Sequence, residues 1–196
     1  MKLVCLGDSL TYGYGVRRSH TWCKIVENET GIEVVNRGVN GDTTSQMMDR
    51  LISDVLTEKP NIVHIMGGTN DVLSTGDIIG ATNNITLIVE ELLSEGIYPI
   101  ISTPIPIHVE LVPDSWCQIN RQNNIDLLLE EYCNNIRKFS DIYKINLIDY
   151  YSYFATKEYL KRKNEYYIDG IHLTSEGNKV LSEIFIEKLE EILNSF

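Results

Sequence analysis

Positive charge is what this chain is short of. Seventeen lysines and arginines face 28 aspartates and glutamates, a formal net charge of −11 over 196 residues, and no basic cluster interrupts the excess. Phosphate backbones and anionic bilayer surfaces are repelled by such a field, so we expect no nucleic acid partner and no stable membrane association. Long apolar runs are missing as well. Nothing approaches the roughly 18 consecutive apolar residues of a membrane span, and the run near the amino terminus ends at Gly7, too short for a signal-peptide core. A cytoplasmic protein is the expectation. The four cysteines, Cys5, Cys23, Cys117 and Cys133, show no Cys-x-x-Cys spacing. That argues against a zinc site or a disulfide framework and for free, buried thiols. Internal repeats and Pro/Gly/Ser-rich linkers are absent too, leaving residues 1–196 as a single domain.

What is present is a short apolar segment, repeated, that each time breaks into glycine and polar residues. Leu3 to Leu6 lacks polar alternation, as a strand covered on both faces does, and it runs into Gly7-Asp-Ser9. Glu33 to Asn36 runs into Asn36-Arg-Gly-Val-Asn-Gly-Asp-Thr43, and Asn61 to Met66 into Gly67-Gly-Thr-Asn-Asp71. Between them lie helical patterns. His20 to Glu29 reads as a helix ended by Gly31. Thr43 and Gln46 form a capping box for a helix through Met47, Leu51, Val55 and Leu56 that Pro60 stops, and Asp77 to Glu95 is a helix closed by Gly96. Tyr98 to Ser102 and Ile145 to Ile148 complete five strands, with a helix expected from about Cys117 to Phe139 and another at the carboxyl terminus. Strands alternating with helices imply a parallel sheet covered on both faces. The predicted fold is a three-layer α/β/α sandwich with a five-stranded sheet in the order 2-1-3-4-5.

Ligands collect outside the carboxyl ends of such strands, and there the sequence places Ser9, Gly41 and Asn70, with Asp169 and His172 on a late loop. A serine hydroxyl is a weak nucleophile until a base takes its proton, and the base works best when a third group fixes its tautomer. Asp169 and His172 are three apart, so one turn folds the carboxylate onto one imidazole nitrogen while the other faces Ser9. The tetrahedral intermediate needs donors for its oxyanion, for which the backbone N–H groups of Ser9 and Gly41 and the Asn70 amide are suitable. Asp8 is expected to brace the Ser9 turn through hydrogen bonds. His20, His64 and His108 are assigned no catalytic part.

The blocks Gly7-Asp-Ser-Leu-Thr-Tyr-Gly-Tyr-Gly15, Asn36 to Thr43, Gly67 to Asp71 and Asp169-Gly-Ile-His172 resemble, in order, the conserved blocks of the GDSL, or SGNH, hydrolase family. The resemblance implies a serine esterase or lipase on a flavodoxin-like sheet, working without metal or cofactor. Members of the family include thioesterases, lysophospholipases, arylesterases and carbohydrate deacetylases, so the resemblance leaves the ester open. The rival reading is a flavodoxin-like module that cradles a phosphate or nucleotide in the turn after the first strand, which gives Asp169 and His172 nothing to do. Two segments stay open. The loop Pro104 to Trp116, with three of the five prolines, suits an acyl-pocket wall through Ile105, Ile107, Leu111 and Val112, or equally a dimer contact in a homo-oligomer. Tyr143 to Tyr167, with seven of the eleven tyrosines, suits either core packing or a sugar-stacking platform. The small size of the chain leads us to expect short acyl groups.

Overall fold

The computed structural model describes residues 1–116 and 124–194. Strands β1 (Lys2–Gly7), β2 (Glu33–Gly38), β3 (Ile62–Met66), β4 (Tyr98–Thr103) and β5 (Asn146–Asp149) form one sheet, ordered β2-β1-β3-β4-β5. All four pairings are parallel, and the register sets Gly7 beside both Gly38 and Met66. Successive β1 residues face opposite layers. Val4 and Leu6 belong to one apolar core, and Leu3 and Cys5 to the other. This two-sided burial is why the strand shows no polar alternation.

Eleven helices in the described residues complete the layers: α1 (Ser9–Tyr12), α2 (Trp22–Thr30), α3 (Thr44–Asp49), α4 (Leu51–Asp54), α5 (Thr69–Ser74), α6 (Ile78–Ser94), α7 (Ile125–Tyr143), α8 (Tyr150–Phe154), α9 (Lys157–Lys161), α10 (Lys163–Tyr166) and α11 (Ser175–Leu193). α3, α6 and α7 cover one face of the sheet, and α2 and α11 the other. Among the described residues no helix is long and apolar enough to cross a membrane.

The local signals act where the sequence places them. Thr43 and Gln46 cap α3 reciprocally, and Asp77 caps α6. Gly31 closes α2 with a left-handed φ of +69°. Four expectations need correction. His20 lies in a 3₁₀ turn (Arg18–His20), and α2 starts at Trp22. The single helix expected from Thr43 to Leu56 breaks at Arg50, whose backbone leaves helical geometry while its side chain turns inward. α7 starts at Ile125 and continues to Tyr143, and residues 117–123 of the helix expected there lie outside the described residues, as does Cys117. Finally, Ile105, Ile107 and Val112 of the proline-rich loop are core residues, with Leu111 left exposed. None of the four is among the residues that surround Ser9 and His172, so they do not wall an acyl pocket there. Cys5, Cys23 and Cys133 are free, buried thiols.

The tyrosine-rich segment is packing for the most part. Tyr150, Tyr166 and Tyr167 are buried around Phe154, at the junction of β5 and α11.

Candidate active site

β1 ends at Gly7, and the chain turns at once into α1, whose first residue is Ser9. Asp8 makes the turn possible. Its Oδ1 accepts the Leu10 N–H at 2.9 Å, which satisfies one of the donors a helix start leaves open. α1 then lies against β2 so closely that a Cβ on Gly38 would stand 2.1 Å from the Tyr12 nitrogen. The sequence suggests that Gly38 is there for its backbone freedom. The structure gives it ordinary strand conformation, and what requires glycine is the approach of α1.

The second half of the site is the turn between α10 and α11. Asp169 Oδ1 accepts the backbone N–H groups of Ile171 (3.1 Å) and His172 (2.9 Å), and Gly170 takes φ +85°. The carboxylate is thereby held against the imidazole, with His172 Nδ1 at 2.9 Å from Oδ2 and 3.1 Å from Oδ1. A carboxylate only accepts, so Nδ1 carries the proton and Nε2 presents a lone pair. Nε2 lies 2.8 Å from Ser9 Oγ. The serine therefore donates to a base whose tautomer is set by a carboxylate, an arrangement able to generate an oxygen nucleophile. The remaining histidines are elsewhere: His64 is buried against Ser102, Trp22 and Phe185, His20 meets Ser175, and His108 meets Tyr167 edge-on.

Gly41 sits in a four-residue turn closed by the Asp42 N–H on the Val39 carbonyl, with φ +83° and open space where a side chain would project. This is a position that only glycine fills without strain. Asn70 is in the first turn of α5, and its Nδ2 donates to the Asp42 carbonyl at 2.8 Å. Ser9, Gly41, Asn70 and His172 together line a cavity of about 260 Å³. Its other walls are Asn40, Tyr14, Leu73, Trp116 and Ile171. A larger groove of about 620 Å³ runs along β2 beyond Tyr12, but holds neither Ser9 nor His172.

Sequence reasoning missed the aromatic rim. The Tyr14 ring lies 4.3 Å from the His172 ring and Trp116 packs edge-on at 5.5 Å, both rings about a third exposed. Tyr14 is inside the block that holds Ser9. Nothing local flags Trp116, which sits at the far end of the proline-rich loop and is the one residue of that loop lining the cavity. None of the seven tyrosines from 143 to 167 does.

Three acidic side chains, Asp8, Asp42 and Asp71, lie within electrostatic reach of one another. Asp8 is buried, its Oδ2 has no partner, and burial, helped by Asp71 and Asp42, pushes its carboxyl up to about 7. Burial also raises Asp71, whose carboxylate accepts both the N–H (3.0 Å) and the hydroxyl (2.7 Å) of Thr44, tying α5 to α3. Among the described residues, no three His, Cys, Asp or Glu side chains are placed to hold a metal ion.

The lipase/acylhydrolase from Enterococcus faecalis superposes with a TM-score of 0.81 at 24% identity, over 97% of this chain and 95% of its own. The uncharacterized lipoprotein YqeF of Bacillus subtilis (strain 168) is 34% identical over 118 residues, 54% of this chain, and the match spans about half (49%) of that lipoprotein's length. The acetylxylan esterase of Geobacillus stearothermophilus is 23% identical over 163 residues, 82% of this chain and 74% of the esterase. The family model described as GDSL-like Lipase/Acylhydrolase family matches residues 5–180, from within β1 into α11. That span takes in every segment that brings Ser9, Gly41, Asn70 and His172 to one cavity, with Asp169 behind His172, and the chain belongs to the GDSL-like lipase/acylhydrolase family.

Proposed function

We propose that the protein is a serine esterase that hydrolyses carboxylic esters of short acyl groups. The observation that carries this reading is the relay from Ser9 Oγ through His172 to Asp169, with contacts of 2.8 and 2.9 Å at the mouth of a cavity. Ser9 Oγ attacks the ester carbonyl carbon while His172 Nε2 takes its proton, and Asp169 stabilises the imidazolium that forms. The oxyanion is met by the N–H groups of Ser9 and Gly41 and the second N–H of the Asn70 amide, the first being held by Asp42. Collapse expels the alcohol, protonated from His172, and leaves an acyl group on Ser9. Water, deprotonated by His172, then attacks the acyl-enzyme and releases the acid.

The cavity volume of about 260 Å³ supports a short acyl group. It falls below the roughly 300–1,000 Å³ of pockets that enclose drug-sized ligands. Ile105, Ile107, Leu111 and Val112 do not line the cavity, which leaves the proline-rich loop little with which to wall a longer chain. On the alcohol side, the partly exposed rings of Tyr14 and Trp116 favour a leaving group with a flat face, an aryl or pyranose alcohol, over a thiol carrier. A relative named as an acetylxylan esterase agrees with that preference. The phosphate-cradle reading is disfavoured, because the Asp8 carboxylate already occupies the start of α1, a four-residue helix.

Ser9→Ala tests the proposal. The variant should fold and melt like wild type, lose turnover of p-nitrophenyl acetate, and no longer be labelled by a fluorophosphonate. Turnover retained in Ser9→Ala, or label on another residue of the wild-type protein, would remove the reading.

A further inference from the structure

Arg50 is the residue whose placement the local sequence explains least. It stands at the break between α3 and α4, and its side chain is only 15% exposed. The guanidinium is almost fully engaged. Nε donates to Asp42 Oδ2 at 2.6 Å, Nη1 to the Arg37 carbonyl at 2.8 Å and Asp54 Oδ2 at 3.0 Å, and Nη2 to the Gly7 carbonyl at 2.8 Å. Those acceptors are not scattered. Gly7 is the last residue of β1, two before Ser9. Arg37 lies in β2, just ahead of the turn that carries Gly41. Asp42 follows Gly41, and its carbonyl receives the Asn70 amide.

We propose that Arg50 is a positioning residue for oxyanion stabilisation, holding the β1 end ahead of Ser9 and the turn that carries Gly41 in one register through a single rigid group, and α5 through the Asp42 carbonyl that receives Asn70. This rests on the esterase reading above. The physical case is that the donors come from three separate elements, α1, the 39–42 turn and α5, and act on an oxyanion only when they converge to within hydrogen-bond distance of it. The β1–β2 ladder, the Asn36 amide on the Thr11 carbonyl and the Asp71–Thr44 pair hold the elements themselves, but the contacts of the 39–42 turn that bypass Arg50 are single bonds: Val39 N–H to the Gly7 carbonyl, and Asn70 to the Asp42 carbonyl. A planar fork with donors on three nitrogens joins β1, β2 and Asp42 at once and fixes their relative angle, which an ammonium on a flexible stem does not. Arg50 touches no substrate. It acts by fixing where Gly41 and Asn70 point.

The test is Arg50→Lys, with kcat for p-nitrophenyl acetate expressed per Ser9 titrated to completion with fluorophosphonate. We expect kcat to fall about 10- to 100-fold, as misplacing catalytic groups by a fraction of an ångström to an ångström does, with KM within about threefold of wild type. Because Asn70 depends on the same register, Arg50→Lys and Asn70→Ala should be coupled. The double variant should lose less kcat than the product of the single losses, by more than about threefold. Arg137→Lys is the control, since Arg137 is a partly buried guanidinium that grips Asp149 away from the cavity. It should lower Tm and leave kcat unchanged.

The assignment is overturned if Arg50→Lys keeps kcat within about threefold of wild type, if its loss simply multiplies with that of Asn70→Ala, or if Arg137→Lys loses kcat equally. Should Arg50→Lys not fold, Asp42→Asn, which keeps the carbonyl contacts of Arg50 and removes its carboxylate partner, is judged by the same two criteria. Failure of both to melt cooperatively assigns Arg50 to structure alone. Activity in Ser9→Ala would instead overturn the esterase reading, whereas an inert Ser9→Ala beside an undiminished Arg50→Lys overturns this inference only.

Discussion

Replacing Asn70 by alanine separates the two jobs that its amide does. One N–H donates to the Asp42 carbonyl at 2.8 Å, and the other is free to meet developing negative charge in the cavity. Loss of the first removes one ordinary hydrogen bond, about 0.5–1.5 kcal/mol, which for a chain of this size lowers Tm by roughly 1–6 °C. Loss of the second removes an oxyanion donor, for which kcat falls by about 10²–10³, or 2.7–4 kcal/mol of transition-state stabilisation. The prediction is therefore lopsided: a small change in melting, a large change in kcat, and little in KM, because the ground-state carbonyl carries little charge for the amide to bind. Steady-state hydrolysis of p-nitrophenyl acetate alongside a thermal melt gives all three quantities. Asn70→Asp sharpens the comparison. It keeps the shape but faces both the Asp42 carbonyl and the oxyanion with a negative oxygen, and should be worse than alanine in both measurements. A kcat for Asn70→Ala within about tenfold of wild type, or an effect confined to KM, would refute the reasoning.

Across p-nitrophenyl esters from acetate to decanoate, kcat/KM should stop rising after a few carbons, because each further methylene is worth about 0.8 kcal/mol only while there is cavity to bury it; a steady rise to decanoate would show a longer acyl site. Asp8→Asn should raise stability increasingly as pH goes from about 4 to 7 and level off above. Burial lifts the folded carboxyl to about 7, so across that window the folded state holds a proton that the unfolded chain has released, and wild type weakens as pH rises. His64, buried and lowered to about 3, works the other way, losing stability as pH falls below about 6.5, but it is common to both proteins and cancels in the difference. A difference in Tm that did not vary with pH would count against this account of Asp8. Gly38→Ala should lower Tm and reduce kcat together, since its Cβ drives against the Tyr12 and Thr11 backbone of the helix that starts with Ser9. Gly31→Ala, with open space around it, should cost only the left-handed backbone strain of about 1 kcal/mol and leave kcat alone; equal behaviour of the two would refute the packing argument.

Much of this protein follows from short-range chemistry, and that part was legible in the sequence. Residues 3–6 read as a doubly covered strand because both of their faces need apolar cover. The Thr43–Gln46 box and Asp77 start helices because their side chains satisfy open N–H groups within three residues. Asp169 finds His172 through a single turn. The strand order followed because parallel connections allow few arrangements, and it carried Ser9, Gly41 and Asn70 to one edge of the sheet.

Tertiary structure decided what depends on contacts between distant segments, for which a local pattern holds no signal. His172 reaches Ser9 across 163 positions. Trp116 arrives at the same imidazole from a loop whose Ile105, Ile107 and Val112 turned into the core. Gly38 is required by the close approach of α1 to β2, and Arg50 reaches the ends of two strands. Period and propensity report what a residue does to its neighbours in the chain. A guanidinium that breaks its own helix to hold three carbonyls and carboxylates from other elements is favoured only once those elements are in place, so its role exists in the folded molecule alone.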